Sequence, residues 1–122
     1  LTIIVHPSNP IQKLTRQQLE DIFTGKIKNW KELGGKDLEI TVYTRESSSG
    51  TFEFMKEHVL EKKEFTPMAI STAASAQIVH GVSKSEGAIG YVGLAYVENI
   101  VKALSVSYDG DEYIVPNFNN AH

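Results

Sequence analysis

The stretch VYTRESSSGTFEFMKEHVL, residues 42–60, joins two patterns with different periods. Apolar and polar residues alternate over residues 39–44, which is the period of a strand with one buried face. After the hydroxyl-rich middle, Phe52, Met55 and Val59 recur at helical spacing with charged residues between them. A strand that passes directly into a helix is the repeating unit of layered α/β domains. The stretch therefore predicts an α/β fold.

Strand and helix patterns continue to alternate on both sides of this stretch. The apolar run LTIIV at residues 1–5 predicts a buried strand, and Thr15 with Gln18 forms a capping box for a helix that ends near Gly25. Later predicted elements are helical turns at 29–33 and 94–98, a helix over 75–85, strands at 88–92 and 101–106, a turn at 108–111 and a last strand through Ile114 and Val115. The alternation predicts a layer sandwich with a mainly parallel sheet.

Composition limits the possible functions. With 122 residues and 41% hydrophobic content, the chain fits one globular domain with a single core. The net charge of −3 provides no basic field to collect nucleic acid or an anionic membrane, and the absence of cysteine excludes disulfides and thiol catalysis. The given chain carries no signal peptide and opens directly into a strand pattern at Leu1, so we expect a mature or excised piece.

A group of hydroxyl residues lies where the predicted strand hands over to the predicted helix, the usual place for ligands in open parallel sheets. The first turn of a helix has unpaired N–H groups, and Gly50 lets a ligand approach the backbone closely. Ser49 and Thr51 add hydroxyl donors, and Arg45 at the strand end offers a planar fork that suits two oxygens of a tetrahedral oxyanion. These four residues are our candidate anion site.

A second interpretation of the same residues needs no ligand. Ser49 could serve only as the helix cap while Arg45 pairs with Glu46 or Glu53 on the surface. With Ser49 as the cap, the third residue after it is Phe52, so no acidic capping box neutralises the turn; with Gly50 as the cap, Glu53 would occupy that place. Spacing alone leaves both interpretations open.

Three segments of the chain carry a resemblance to a known family. They are NPIQKLTRQQLEDIFTGKIKNWKELGG at 9–35, VYTRESSSGTFEFMKEHVL at 42–60 and GAIGYVGLAY at 87–96. In this order they resemble the middle third of the PstS-type phosphate-binding proteins of phosphate ABC transporters, over about residues 1–116. Three ordered segments are far more specific than the tripeptide Ser-Gly-Thr alone.

The resemblance implies the α/β three-layer sandwich of a type II periplasmic-binding-protein-like fold. Residues 1–122 would be the second lobe of a two-lobed receptor whose first lobe is absent, and the two lobes would close on one phosphate at a hinge. It further implies a membrane permease and the missing first lobe as partners, a periplasmic or cell-surface location, and no cofactor. The family's R-x-x-x-S-G-T segment, which contacts the ligand, falls on Arg45, Ser49, Gly50 and Thr51.

The chain departs from the family pattern beside the arginine. Many members carry an acidic residue two places after it that holds the guanidinium; here that place is Ser47, and Glu46 is the nearest carboxylate. The acidic acceptor that distinguishes protonated phosphate from sulfate belongs to the first lobe. Another tetrahedral oxyanion such as sulfate or molybdate, and a sensory or adhesion module that reuses the lobe, are therefore the alternative functions.

The spacing of glycines and histidines does not favour nucleotide or metal binding. Glycines at 87, 90 and 93 form G-x-x-G-x-x-G, which differs from the dinucleotide fingerprint, and we expect them to serve backbone packing. No metal site is expected, because metal-ligand spacing such as H-E-x-x-H is absent from the four histidines, His6, His58, His80 and His122.

A serine hydrolase is the enzymatic alternative, because Ser49 would lie beside N–H donors at a helix start. The motif G-x-S-x-G is absent and no histidine lies near Ser49 in the sequence, although a spatial neighbour would escape this argument. We therefore expect a binding protein and not an enzyme.

Overall fold

The computed structural model describes residues 1–109 and 112–114. Short 3₁₀ turns at Trp30–Leu33 and Leu94–Tyr96 and a π-helical turn at Met55–Val59 accompany the helices and strands. The helices and strands are β1 (Thr2–Val5), β2 (Lys13–Thr15), α1 (Arg16–Phe23), β3 (Thr41–Arg45), α2 (Gly50–Phe54), β4 (Ile70–Thr72), α3 (Ser75–Lys84), β5 (Ala88–Val92), β6 (Lys102–Ala103) and β7 (Ser105–Ser107). The predicted α/β alternation is confirmed.

The central sheet has the strand order β4-β3-β5-β1-β6. Strand β3 runs parallel to β4 and to β5, whereas β1 runs antiparallel to β5 and to β6. The prediction of a mainly parallel sheet is therefore wrong, because the sheet is mixed. A buried strand shows the same run of apolar residues in either direction, so the pattern carries no information about strand direction.

The segment predicted as one strand over 101–106 is divided at Leu104. Strand β6 before it pairs with β1, while β7 after it pairs in parallel with β2 in a separate ladder. Leu104 is buried, and its N–H donates to the carbonyl of Ile3 at 2.9 Å. Ile114 forms an antiparallel bridge with Val106; Gly110, Asp111 and Val115, which complete the last predicted turn and strand, lie outside the described residues.

Helices cover both faces of the central sheet. Neighbouring residues of β1 show this division: Ile3 and Val5 share a buried cluster with residues of α1 and of the π-helical turn, whereas Ile4 shares one with residues of α3. Alternate side chains of a strand point to opposite faces, so each face buries its own cluster. This arrangement confirms the three-layer sandwich.

The sequence signals at the ends of α1 are also confirmed. The Thr15 side chain accepts from the Gln18 N–H, and the Gln18 side chain accepts from the Thr15 N–H, which completes the capping box. Gly25 follows the helix with a φ of +88°, a conformation that favours glycine. No helix among the described residues is both long and apolar enough to span a bilayer.

Glycines allow α3 to lie close against the sheet. A Cβ atom on Gly90 would lie 2.4 Å from Cγ2 of Ile78, and one on Gly81 would lie 2.5 Å from the ring of Tyr43. The expectation that the G-x-x-G-x-x-G run serves packing is confirmed at Gly90 and at Gly87, where a Cβ would lie 2.2 Å from the Glu39 carbonyl oxygen, but not at Gly93, where the nearest atom would be 3.7 Å away. Close packing of α3 fixes where its first residue lies relative to β3.

Candidate functional site

The candidate site lies at the carboxyl end of β3. Arg45 is the last residue of that strand, and a tight turn follows, in which the Ser49 N–H donates to the Glu46 carbonyl at 3.0 Å. Helix α2 then begins at Gly50. Since β3 and β5 are parallel and β1 is antiparallel to β5, with Thr2 opposite Val92, the amino end of β1 lies along the same edge of the sheet.

Ser49 is the N-cap of α2. Its φ and ψ of −75° and 137° are extended, and its hydroxyl accepts a long 3.4 Å hydrogen bond from the Phe52 N–H. Gly50 is therefore not the cap. The capping half of the ligand-free interpretation is confirmed, and the absence of an acidic capping box is confirmed with it.

Thr51 lies beside the cap, with its hydroxyl oxygen 2.8 Å from that of Ser49. If Ser49 accepts from Phe52 and gives its own hydrogen to Thr51, the Thr51 hydroxyl hydrogen is left to donate elsewhere. The N–H groups of Gly50 and Thr51 belong to the first turn, where no carbonyl within the helix can accept from them. The turn can thus offer one hydroxyl and two amides to an acceptor.

The guanidinium of Arg45 is held by the start of α3. Its Nη1 donates to the Ser75 hydroxyl at 3.1 Å, and its Nη2 donates to the Ala73 carbonyl at 3.2 Å. Its Nε is buried and has no hydrogen-bond partner in the described part of the chain. A buried N–H without an acceptor is costly, so the guanidinium has an unsatisfied donor at this atom.

Arg45 has no carboxylate partner among residues 1–109 and 112–114, since none of the ion pairs found there includes it. Glu46 and Glu53 are both exposed. The other half of the ligand-free interpretation, in which Arg45 pairs with one of these two residues, is therefore wrong. Within the part of the chain that the structure describes, the guanidinium hydrogen bonds only to neutral acceptors.

The four predicted site residues form two groups. Ser49, Gly50 and Thr51 lie together at the start of α2, whereas the Arg45 side chain reaches to the start of α3. None of the hydrogen bonds found within the described ranges joins the guanidinium to Ser49 or Thr51. The structure therefore provides donors on two sides of the strand end, with no direct contact between them.

The backbone at Arg45 is supported by a side chain that the sequence analysis did not connect with the site. The Tyr91 hydroxyl accepts from the Arg45 N–H at 3.1 Å and lies 2.6 Å from the Thr44 hydroxyl. Burial raises the pKa of Tyr91, so that this hydroxyl stays protonated. Thr72 adds a bond from its hydroxyl to the Thr44 carbonyl at 3.2 Å.

Two other kinds of site are relevant among the described residues, a metal site and a cavity. Within them, no group of three or more His, Cys, Asp and Glu residues is arranged to hold a metal ion. A cavity of about 390 Å³ lies at the start of β3, where Ile22, Ile40 and Met68 contribute to its lining, which is the opposite end of the strand from Arg45.

Comparison with known families places this geometry in context. A family described as "PBP superfamily domain" matches residues 1–121. The chain belongs to the PBP superfamily. The match covers both β3 and the whole of the candidate site, so the PBP-type lobe and the predicted anion residues lie within one family unit.

Individual relatives of this PBP superfamily chain are phosphate-binding proteins. The phosphate-binding protein PstS of Bacillus subtilis (strain 168) is 39% identical over 103 residues, which is 84% of this chain and 34% of the relative. The PstS of Pseudomonas aeruginosa PAO1 is 34% identical over 134 residues, which is 99% of this chain and 42% of the relative.

Solved structures show the same fold. An ABC-type phosphate transport receptor from Vibrio cholerae matches with a TM-score of 0.86 at 31% identity, over 98% of this chain and 48% of that one. A putative phosphate ABC transporter substrate-binding protein with bound phosphate from Clostridium perfringens matches with a TM-score of 0.82 at 42% identity, over 86% and 44%. The chain thus spans less than half the length of these relatives.

Proposed function

We propose that this PBP superfamily lobe supplies one half of the phosphate site of an extracytoplasmic receptor that delivers to the membrane permease of an ABC importer. The observation that carries the proposal is the Arg45 guanidinium, which ends β3 and, among the described residues, has neither an acceptor for its buried Nε–H nor a carboxylate partner. The names of the relatives that share the fold, phosphate-binding proteins and receptors, support phosphate as the ligand class.

The available groups match the chemistry of a tetrahedral oxyanion. Phosphate oxygens accept hydrogen bonds, and the strand end offers donors from Arg45, from the Thr51 hydroxyl and from the first-turn amides of α2. Binding of such an ion needs desolvation and complete hydrogen bonding, with no bond made or broken. The site is therefore that of a receptor and not of an enzyme, in keeping with the relatives' names.

A second lobe is needed to complete the site. The chain spans under half the length of its relatives, and the edge that holds Arg45 also holds the amino end of β1, where Thr2 pairs opposite Val92. A lobe joined ahead of Leu1 would start from this edge and could close over the ligand by a hinge motion. We propose that residues 1–122 act as the second lobe of such a two-lobed protein.

Phosphate is favoured over sulfate and molybdate by the relatives' names alone, because the donors of this lobe suit any tetrahedral oxyanion. Discrimination of protonated phosphate needs a hydrogen-bond acceptor, which we assign to the other lobe. The isolated chain is therefore expected to bind phosphate and sulfate with similar, weak affinity, at a dissociation constant of about 1 mM or weaker. Added salt should weaken the binding of both ions.

The proposal is tested by titrating the chain with phosphate and with sulfate at constant ionic strength while the backbone amide signals are monitored by NMR. We expect shifts at Arg45 and at residues 49–51 with both ions. Chloride at matched ionic strength is the control for screening. Shifts that avoid these residues would contradict the site, and tight binding that is selective for phosphate would contradict the half-site.

A further inference from the structure

The Arg45 guanidinium is held in place from a distant part of the chain. Ser75, thirty residues along, accepts from Nη1 at 3.1 Å, and the neighbouring Ala73 carbonyl accepts from Nη2 at 3.2 Å. Ser75 is 7% exposed, so its hydroxyl has little access to water as an alternative partner. The two contacts fix the plane of the guanidinium from one side.

Ser75 does not serve as the cap of α3. The N-cap of α3 is Ala74, and the side chain of Gln77 accepts from the N–H groups of Ala73 and Ala74 at 3.0 and 3.2 Å. Gln77 therefore satisfies these two amides. Ser75 comes one position after the cap, and the one hydrogen bond of its hydroxyl found within the described residues is the bond from Arg45.

The location of Ser75 is itself well defined by packing. Helix α3 lies so close to the sheet that a Cβ on Gly90 would overlap Ile78, and the Tyr43 ring of β3 lies against Gly81. Strand β4, which leads into α3, is paired with β3 in a register that sets Thr72 opposite Arg45. The acceptors for the guanidinium are thus held against β3 by the pairing of β4 and by the packing of α3.

Both acceptors are neutral. A carboxylate beside Arg45 would also hold the guanidinium, as the acidic residue of many family members does, but would offset part of its attraction for an anion. Within residues 1–109 and 112–114 no carboxylate pairs with Arg45. A hydroxyl and a carbonyl therefore orient the side chain and leave its charge for the ligand.

We propose that Ser75 is a positioning residue for anion binding: it orients Arg45 through a neutral hydrogen bond, so that the guanidinium keeps its charge for the oxyanion. This inference rests on the proposed function, because it assigns Ser75 to the same site. Loss of one such bond should weaken phosphate binding about three- to tenfold.

Three variants of Ser75 separate orientation from charge. Ser75→Ala removes the acceptor, Ser75→Thr keeps the hydroxyl, and Ser75→Asp keeps an acceptor but adds a negative charge. We expect the alanine variant to bind phosphate three- to tenfold more weakly and the threonine variant to bind nearly as the parent does. The aspartate variant should bind more weakly than the alanine variant. Ser83→Ala, at the other end of α3, is the matched control.

NMR on the same chain gives a readout that a merely structural role would not move. The chain has two arginines, so its arginine Nε–H region holds two signals, and Arg45→Lys identifies which belongs to Arg45. In Ser75→Ala the Arg45 Nε–H should exchange with solvent several-fold faster without phosphate, while the Arg16 signal stays unchanged and serves as internal control.

The outcomes distinguish this inference from the proposed function. An unchanged phosphate dissociation constant in Ser75→Ala, or a Ser75→Asp variant that binds as well as the parent, overturns the inference while the proposed function stands. If the parent chain shows no phosphate shifts at Arg45 or residues 49–51, the proposed function fails and the role of Ser75 fails with it. Weakened binding in Ser75→Ala, rescue by Ser75→Thr and further loss in Ser75→Asp support the inference.

Discussion

The Arg45 N–H donates to the Tyr91 hydroxyl at 3.1 Å, beyond the point where the paired register of β3 and β5 ends at Val42 and Ile89. A side chain thus continues the attachment of β3 to β5 after the backbone pairing stops. Tyr91 is fully buried, and its ring packs against those of Phe23 and Phe65. The end of β3, and with it the candidate anion site, is therefore anchored in the core.

Replacing this tyrosine tests the anchor. Tyr91→Phe keeps the ring but leaves the Arg45 N–H and the Thr44 hydroxyl without their partner, and we expect it to lower the free energy of unfolding by about 1–3 kcal/mol. Urea unfolding measures the change, and faster hydrogen exchange of the Arg45 amide would locate it. Tyr96→Phe at an exposed position is the control; equal losses in both variants would contradict the anchor.

Arg45 itself should matter for binding far more than for folding. In a chain that carries both lobes, Arg45→Ala should weaken phosphate binding by about 1.5–3 kcal/mol, the scale of a hydrogen bond to a charged group. Calorimetry measures this loss. Arg16→Ala, at the other arginine of the chain, is the comparison, because it should lower stability through loss of its bonds to Glu20 and the Val59 carbonyl and leave affinity unchanged. An Arg45→Ala variant with unchanged affinity would remove Arg45 from the site.

Ser49 and Thr51 are expected to differ in their effects although their hydroxyls are in contact. Ser49→Ala removes the N-cap of α2 and should cost about 0.5–2 kcal/mol of stability. Thr51→Val preserves the shape and the cap, so its main effect should be on anion binding. Thermal unfolding and phosphate titration of both variants separate the two roles. A Thr51→Val variant that binds phosphate as the parent does would contradict the role of its hydroxyl as a ligand donor.

The glycines under α3 offer a test of close packing. Gly90→Ala places a Cβ 2.4 Å from Cγ2 of Ile78 and should lower stability by about 1–3 kcal/mol, because the helix or the strand must shift. Gly93→Ala is the matched control in the same segment, since a Cβ there would lie 3.7 Å from Cδ2 of Tyr96, an ordinary contact. Similar urea midpoints for the two variants would argue that α3 is not fixed by this contact.

Local sequence patterns predicted much of the fold and the candidate residues. The capping box at Thr15, the apolar period of α3 and the strand-to-helix junction at Arg45 are each encoded within a few neighbouring residues, where propensity and spacing act directly. The candidate anion residues lie within one such junction, so a single segment was sufficient to name them.

The features that escaped prediction depend on pairs that are distant in sequence. The Arg45 to Ser75 bond spans 30 residues and the Thr44 to Tyr91 contact spans 47, and hydroxyl side chains carry no periodic signal that would connect them. Strands β2 and β4 have only three residues each, too few to show alternation. Strand direction in the sheet was not predicted either, because it is decided by the path of the chain between strands and not by the residues within a strand.

Glu20 makes the stability of this fold depend on pH in the acidic range. It is 5% exposed and accepts from Lys63 at 2.7 Å and from Arg16 at 2.9 Å. The hydrogen bonds from Lys63 and Arg16 lower the pKa of Glu20 from 4.5 to about 2, against the opposing effect of burial. These contacts fasten α1 to the segment that follows the π-helical turn.

A carboxyl whose pKa is lowered by folding stabilises the protein fully above its unfolded pKa and loses that contribution as the pH falls through its folded pKa. The contribution of Glu20 should therefore be complete at neutral pH and disappear between about pH 4.5 and about pH 2. We expect Glu20→Gln to be less stable than the parent at neutral pH and the gap between them to narrow over that interval. Urea unfolding at several pH values measures the gap, with Glu57→Gln at an exposed position as control. A gap for Glu20→Gln that stays constant down to pH 2 would show that the fold does not depend on the charge of this residue.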